Sequence, residues 1–331
     1  MSSKVLWLQS GGCGGCSMSL LNAETPHLFN QFSRYGLELL WHPSLSELDG
    51  RDLLTLLQAI CDGVMPLDIL CLEGAVLRGP EGSGRFHMLG PDQPMMHWLR
   101  LLAAKARMTV AIGSCAAFGG ITSAGENPAQ ACGLQFEGAQ PGGLLAANWQ
   151  SLSGFPVINI AGCPTHPDWV METLGMIAKG MLDHAALDSF NRPAFYTRYL
   201  VHHGCPRNEF YEYKASAERP AQQGCMMEHM GCLGTQAHAD CNIRSWNGQG
   251  SCLKGGYPCI NCTAPEFEEP QGCFVETRKI AGIPVGLPTD MPKAWFVALA
   301  SLSKAAMPAR LKDNATAESI VTPPIAREKK R

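Results

Sequence analysis

Short apolar runs alternate with helical patterns over about the first 185 residues. Five of these runs are predicted to be β-strands, at residues 5–9, 37–41, 69–72, 109–112 and 157–160. Residues 53–60 and 95–105 carry apolar side chains at helical spacing, and Pro167 is predicted to begin another helix that runs to about Met181. Alternation of this kind is typical of a doubly wound parallel sheet, so the expected fold class is α/β.

The alternation stops near residue 190. From there to residue 283, Pro, Gly, Cys, His and Asn dominate, and little apolar periodicity remains with which to build a core. Metal ligation could supply the missing folding free energy. We therefore predict a sheet domain at residues 1–188, a metal-binding domain at 189–283 and a C-terminal tail at 284–331.

Composition narrows the possible partners and location. The chain has 331 residues, of which 46% are hydrophobic and 17% charged, with a net charge of -3, and this balance argues against a nucleic-acid partner. No apolar run is long enough for a membrane span. No leader pattern precedes the first strand, so we expect a cytoplasmic protein, whose cysteines stay reduced and serve as metal ligands more often than as disulfides.

Four cysteines come directly after predicted strands of the sheet: Cys13, Cys16, Cys115 and Cys163. Because the carboxyl ends of parallel strands meet at one edge of a sheet, we expect the four thiols to lie together. Glycines beside them allow the backbone to come close to a bulky inorganic group. These residues are predicted to hold a [4Fe–4S] cluster, with structural zinc as the alternative.

Two further ligand sets are predicted after residue 200. The first comprises His202, Cys205, Cys225 and Cys232, and its spacing leaves zinc and iron–sulfur equally open. The second comprises Cys241, Cys252, Cys259 and Cys262. Four thiolates can hold a complete [4Fe–4S] cube, whereas three would leave one corner open, so Cys252 decides between [4Fe–4S] and [3Fe–4S]. The remaining cysteines are expected to be structural: Cys61, Cys71, Cys132 and Cys273.

One acidic residue also follows a predicted strand. Glu73 comes directly after residues 69–72, where a carboxylate would serve a proton path or a partner interface. The alternative interpretation is a helix N-cap or a surface carboxylate.

Taken in order, these motifs resemble the small subunit of nickel–iron hydrogenases. The resemblance spans roughly residues 4–283 and rests on Cys13-Gly-Gly-Cys16-Ser17, Glu73-Gly74, Gly113-Ser-Cys115, Gly162-Cys-Pro164, His202-x-x-Cys205-Pro206-Arg207, Gly231-Cys232 and Gly256-Tyr-Pro-Cys259-Ile-Asn-Cys262. It implies a flavodoxin-like N-terminal domain followed by an irregular cluster-binding domain. It also names the three ligand sets: the proximal set (Cys13, Cys16, Cys115, Cys163), the distal set (His202, Cys205, Cys225, Cys232) and the medial set (Cys241, Cys259 and Cys262, which Cys252 would complete).

The resemblance also implies a partner. The NiFe(CN)2CO centre that splits H2 would lie in a hydrogenase large subunit, in an obligate heterodimer or a dimer of such heterodimers. This chain would carry electrons from the proximal through the medial to the distal cluster and contain no catalytic residue, because it offers no nickel site.

Two departures from the family pattern bear on the clusters. The medial cluster of the family is usually [3Fe–4S], with proline where this chain has Cys252, so we predict three [4Fe–4S] clusters. Gly15 and Gly120 stand where oxygen-tolerant enzymes carry two extra cysteines, so we predict an ordinary proximal cube.

The sequence is most similar to the regulatory, hydrogen-sensing group, in which the assembly signals to a histidine kinase, and residues 284–331 are the candidate docking segment. Three alternatives stay open. They are a cytoplasmic energy-conserving uptake hydrogenase with a soluble acceptor, an electron-wiring subunit of a respiratory complex, and a zinc-stabilised scaffold without redox function. The tail itself could instead be a flexible end with one short amphipathic helix.

Overall fold

The computed structural model describes residues 2–23, 27–269, 274–280, 283–287 and 292–324. The chain divides into two compact units, the first made of Met1–Thr197 with Cys262–Glu269 and the second of Arg198–Asn261 with Pro270–Arg331. The three-part division at residues 188 and 283 stays a prediction. Cys273 lies outside the described residues.

A five-stranded parallel sheet forms the centre of the first unit. Its strands are β1 (Ser3–Gln9), β2 (Leu37–Trp41), β3 (Leu67–Glu73), β4 (Ala106–Ile112) and β5 (Ile158–Ile160). The strand order is β2-β1-β3-β4-β5, and every pairing is parallel. This is the flavodoxin-like order of a doubly wound sheet, so the predicted fold class is confirmed.

Helices and short strands connect the sheet. The α-helices of this unit are Gly15–Leu21, Leu28–Tyr35, Gly50–Cys61, Met95–Ala103, Gly113–Phe118, Pro167–Ala178 and Ala194–Thr197. Two 3₁₀ turns cover Gly120–Ser123 and His184–Ala186. Two antiparallel pairs join Val76–Leu77 to Ala131–Cys132 and Phe136–Glu137 to Gln140–Pro141.

Local sequence explains where two of the long helices begin. Asp49 precedes Gly50–Cys61, and its carboxylate accepts hydrogen bonds from the Arg51 and Asp52 amides, as an N-cap residue should. Pro167 occupies the first turn of Pro167–Ala178, where its missing N–H costs no helical hydrogen bond.

Apolar side chains from both layers fill the space between the sheet and its helices. Leu6, Leu8 and Leu70 of the sheet pack in one cluster with Leu57 and Leu99 of two helices, and all five are fully buried. Burial of this kind contributes roughly 1.5–3 kcal/mol per large apolar side chain. The sheet is therefore a rigid base for the loops at its carboxyl edge.

The second unit contains little regular structure. Its elements are the 3₁₀ turn Val201–Gly204, the helices Asn208–Glu212, Met227–Met230, Lys293–Ala305 and Ala309–Ala315, and the strand pair Lys279–Ile280 and Ile283–Pro284. A small apolar cluster joins Ala215 to Leu311 and Ala315. Leu311 and Ala315 of the tail thus belong to the packed interior of this unit.

In the ranges that the structure covers, no helix combines the length and the apolar character needed to cross a bilayer.

Replacing a buried leucine should destabilise the protein much more than replacing an exposed one. Leu57 is fully buried, whereas Leu48 is 45% exposed. Leu57→Ala should reduce the free energy of unfolding by about 2–5 kcal/mol because it removes buried methyl groups and leaves a cavity. Leu48→Ala should change it by less than about 0.5 kcal/mol. Urea titration followed by circular dichroism compares the two, and equal effects would contradict this assignment of the core.

Candidate metal centres

The proximal set lies at the carboxyl edge of the sheet. Cys13 is in the loop after β1, Cys16 is in the first turn of Gly15–Leu21, Cys115 is in the helix that follows β4, and Cys163 comes after β5. The loops after β1, β4 and β5 thus place these four residues at the same edge of the sheet, and their role as cluster ligands stays a prediction.

The thiols of the proximal set are close enough to influence one another's ionisation. Burial raises the pKa of Cys16, and the charges of Glu73, Cys115 and Cys163 raise it further. Burial raises the pKa of Cys163 to about 12, with added contributions from Cys262, Cys115 and Cys13. The pKa of Cys115 is raised by burial and also by Cys13. Four thiols at one edge of the sheet, three of them desolvated and Cys13 exposed, form a donor set that fits a cationic, thiophilic group such as an iron–sulfur cluster.

Glycines shape the space beside these thiols. A Cβ atom on Gly113 would lie 2.5 Å from the Cys16 Sγ atom, and one on Gly120 would lie 3.0 Å from the Cys115 Sγ atom. Both glycines also have positive φ angles, 82° and 53°, which other residues rarely adopt. Because these two positions carry no side chain, space remains beside the thiols for a bulky inorganic group. The proximal residues therefore fit a [4Fe–4S] group.

Glu73 is a buried hydrogen-bond acceptor rather than a surface carboxylate. One carboxylate oxygen accepts from the amides of Cys16 and Ser17, both at 3.0 Å. The other accepts from the Ser17 hydroxyl and from the Trp7 indole at 3.2 Å. Glu73 is the last residue of β3 and not an N-cap residue, since Gly14 precedes the helix Gly15–Leu21, and its carboxylate holds the turn that carries Cys16.

His42 extends this network, and no sequence pattern indicated its role. The Ser44 amide donates to Nδ1 of His42 at 3.0 Å, so in the neutral ring the proton is on Nε2. Nε2 then donates to the Ser17 hydroxyl at 3.2 Å, which leaves that hydroxyl free to donate to Glu73. Burial lowers the pKa of His42, against an opposing contribution from Glu73. A neutral imidazole thus supports the buried carboxylate through Ser17.

The four residues of the distal set line one cavity in the second unit. Burial raises the pKa of Cys205 to about 11 and that of Cys225 to about 12, and in both cases the charge of Cys232 adds to the effect. The His202 ring packs edge-on against Tyr211, with 4.4 Å between the ring centroids. Three thiols and one imidazole around a shared cavity are a donor set that fits an iron–sulfur cluster.

Arg207 is a buried cation in the wall of this cavity. Its guanidinium donates to the carbonyls of Gly224 at 2.8 Å and Leu253 at 3.1 Å, and its amide donates to the Cys205 Sγ atom at 3.4 Å. Burial lowers the pKa of Arg207, while the neighbouring thiols oppose this shift. Arg207 therefore fixes the chain beside two of the predicted ligands and offsets part of their negative charge.

The medial set is not brought together within one unit. Cys241, Cys252 and Cys259 belong to the second unit, whereas Cys262 belongs to the first. The Cys259 amide donates to the Cys232 Sγ atom at 3.3 Å. Burial raises the pKa of Cys232, and Cys252 adds to that effect. All four medial ligands stay predictions.

Three of the cysteines outside the ligand sets lie in or against the apolar core of the first unit. Cys71 and Cys132 are fully buried there, and Cys61 is partly buried against it. Among the side chains that the structure describes, no three or more His, Cys, Asp or Glu are grouped closely enough to hold a single metal ion.

Comparison with known proteins identifies the family. Residues 13–177 match the family described as NADH ubiquinone oxidoreductase, 20 Kd subunit, and residues 197–275 match the C-terminal family of the NiFe/NiFeSe hydrogenase small subunit. The F420 non-reducing hydrogenase I small subunit of Methanosarcina mazei is 36% identical over 295 residues, 81% of this chain and 74% of the relative. The periplasmic [NiFeSe] hydrogenase small subunit of Desulfomicrobium baculatum is 31% identical over 287 residues, 82% of this chain and 86% of the relative.

Solved structures agree with this assignment. A chain of the actinobacterial-type NiFe-hydrogenase from Ralstonia eutropha H16 superposes with a TM-score of 0.74 at 26% identity, covering 93% of this chain and 92% of that chain. A chain of the Desulfomicrobium baculatum [NiFeSe]-hydrogenase gives 0.71 at 29% identity, covering 83% of this chain and 100% of that one. The chain belongs to the family of nickel–iron hydrogenase small subunits, the iron–sulfur subunits that pair with a large subunit and transfer electrons.

The glycine beside Cys16 provides a sharp test of the proximal site. Gly113→Ala should prevent assembly of the proximal cluster because the new methyl group would meet the Cys16 Sγ atom at 2.5 Å. Gly36→Ala is the matched control, since Gly36 has a similar φ of 70° but open space around its Cβ position. Iron and sulfide analysis should show a loss of about four irons only in Gly113→Ala. Full iron content in that variant would contradict the proximal assignment.

Replacing Glu73 tests its positioning role. Glu73→Ala leaves four donors near Cys16 without an acceptor, at a cost of about 1–3 kcal/mol for a buried unsatisfied group. We expect lower thermal stability and partial loss of the proximal electron paramagnetic resonance signal. Glu73→Gln keeps an acceptor oxygen and should retain more of both. Identical behaviour of the two variants would refute a hydrogen-bonding role.

Proposed function

We propose that this subunit holds three [4Fe–4S] clusters and serves a hydrogen sensor in the cytoplasm, where thiols stay reduced. The redox part of the proposal is supported by four thiols at the sheet edge, three of them desolvated, and by a second cavity lined by three thiols and His202. When bound, the clusters supply one-electron chemistry for electrons that the large subunit releases from H2.

Each of the three clusters would be bound by its own set of residues in this chain. Cys13, Cys16, Cys115 and Cys163 would bind the proximal cluster, with the Glu73 network holding the Cys16 turn. His202, Cys205, Cys225 and Cys232 would bind the distal cluster, with Arg207 offsetting their charge. The medial ligands are proposed from the sequence alone: Cys241, Cys252, Cys259 and Cys262.

The proposed signalling output rests on the tail. Helix Lys293–Ala305 presents an apolar stripe of Trp295, Leu299 and Leu302, which are 65%, 46% and 65% exposed. These residues are spaced i, i+4 and i+7, so they share one face of the helix. Exposed apolar side chains arranged in this way are typical of a surface that another protein covers. We assign the histidine-kinase contact to this stripe.

If the stripe binds the kinase, its loss should affect kinase binding but not hydrogen oxidation. Changing Trp295, Leu299 and Leu302 to serine should abolish association of the heterodimer with its histidine kinase, because the apolar contact is lost. Hydrogen-dependent reduction of benzyl viologen should persist. Ile320→Ser with Val321→Ser is the control, since both are exposed apolar residues outside the helix. Deletion of residues 284–331 is less informative because it also removes the buried Leu311.

Unchanged kinase binding in the triple variant would refute the docking assignment. Failure of the wild-type heterodimer to bind a histidine kinase would instead favour the second candidate function, an energy-conserving uptake hydrogenase that delivers electrons to a soluble acceptor. A complex that reduces no acceptor with H2 and contains zinc instead of iron would refute the redox proposal itself and favour a zinc-stabilised scaffold.

The predicted role of Cys252 as a medial-cluster ligand can be tested by substitution. Cys252→Pro should convert the medial cluster to a three-iron form, since one corner of the cube loses its thiolate. Electron paramagnetic resonance of the oxidised complex should then show a new three-iron signal that is absent in a Cys61→Ser control. An unchanged spectrum would remove Cys252 from the ligands.

A further inference from the structure

A cavity of about 230 Å³ lies in the second unit beside a predicted distal ligand. Cys225 forms part of its wall, and helix Lys293–Ala305 closes one side through Phe296 and Ala300. Tyr211 forms another part of the wall, and the same tyrosine contacts the His202 ring. The cavity therefore combines aromatic walls with direct access to the distal set.

More cationic than anionic side chains line this cavity: Lys214, Lys279 and Lys304 against Glu228. The Lys214 ammonium lies 4.3 Å from the ring centroid of Tyr211 and 4.7 Å from that of Phe296, and it donates to the Tyr211 carbonyl at 3.1 Å. Lys279 is paired with Glu228 at 2.6 Å. Within the described part of the chain, neither Lys214 nor Lys304 has a carboxylate within 4.0 Å. Glu212, Glu228 and the Cys225 thiol still act on Lys214 and raise its pKa against the lowering effect of burial, so its charge is balanced only from a distance by described residues.

We propose that this cavity binds an anionic aromatic electron acceptor of one or two fused rings, seated between the tail helix and Cys225. The proposal rests on the proposed electron-transfer function and specifies where and to what class of molecule the electrons leave.

Each feature of the cavity restricts the ligand. A half-buried ammonium without a directly paired carboxylate favours an anionic group, because desolvating a charge is costly unless it is paired. The faces of Tyr211 and Phe296 favour a flat aromatic body. A volume near 230 Å³ is below the usual range for drug-sized ligands, so a dinucleotide would not fit.

The reaction at this site balances with H2 as the reductant. A bound quinone gains two electrons, one at a time, and two protons from solvent, and becomes the hydroquinone. The electrons are those that H2 gives up in the large subunit, which releases two protons. The net change is one H2 and one quinone to one hydroquinone.

The test uses the intact, oxidised heterodimer and 1,4-naphthoquinone-2-sulfonate as the probe, with binding measured by isothermal titration calorimetry in the absence of H2. Lys214→Gln should weaken binding about tenfold, as expected for the loss of a charge-assisted contact. Lys304→Gln, at an exposed position without a packing role, should weaken it about threefold. Lys312→Gln, on an exposed face outside the cavity, should have no effect.

Two further measurements separate the possible outcomes. Uncharged 1,4-naphthoquinone should bind more weakly than the sulfonate and show no difference between wild type and Lys304→Gln. Hydrogen-dependent reduction of cationic benzyl viologen should be unchanged in Lys312→Gln, which lies outside the cavity. Equal sulfonate affinity in wild type, Lys214→Gln and Lys304→Gln would overturn the proposed site, while loss of benzyl viologen reduction in wild type would instead refute the electron-transfer function.

Discussion

The rest of the structure depends on the crowding of thiols at the carboxyl edge of the sheet. Burial and mutual repulsion raise the pKa values of Cys16, Cys115 and Cys163. Such thiols cannot all ionise in one place unless a cationic group compensates their charge, and cluster assembly must therefore displace their protons. The scaffold that holds them in this arrangement is thus suited to metal, and the family to which the chain belongs uses it for electron transfer.

Two supports keep this arrangement in place. The parallel strands bring residues that are far apart in sequence to one edge, and the glycines beside them leave room for an inorganic group. The Glu73 network then fixes the turn at Cys16 through amide, hydroxyl and indole donors. A buried carboxylate next to thiols is electrostatically unfavourable, so its four hydrogen bonds are needed to hold it there.

Much of the fold could be predicted from the sequence, because apolar runs ending in Gly- and Cys-bearing turns are a strong local signal of parallel strands. The five predicted strands and the helix at Pro167 are present. The roles of His42 and Ser17 could not be predicted, since they arise from contacts between residues 25 positions apart. The tail was also only partly predictable: its spacing indicated a helix, but the burial of Leu311 depends on tertiary packing with Ala215.

Mössbauer spectroscopy of the ⁵⁷Fe-labelled heterodimer, recorded before and after exposure to H2, tests whether the thiol sets of this subunit hold redox-active clusters. We expect essentially all of the iron in this subunit to occur in four-iron clusters and to gain electrons from H2. Bound zinc in place of iron, or iron whose spectrum does not respond to H2, would contradict this expectation.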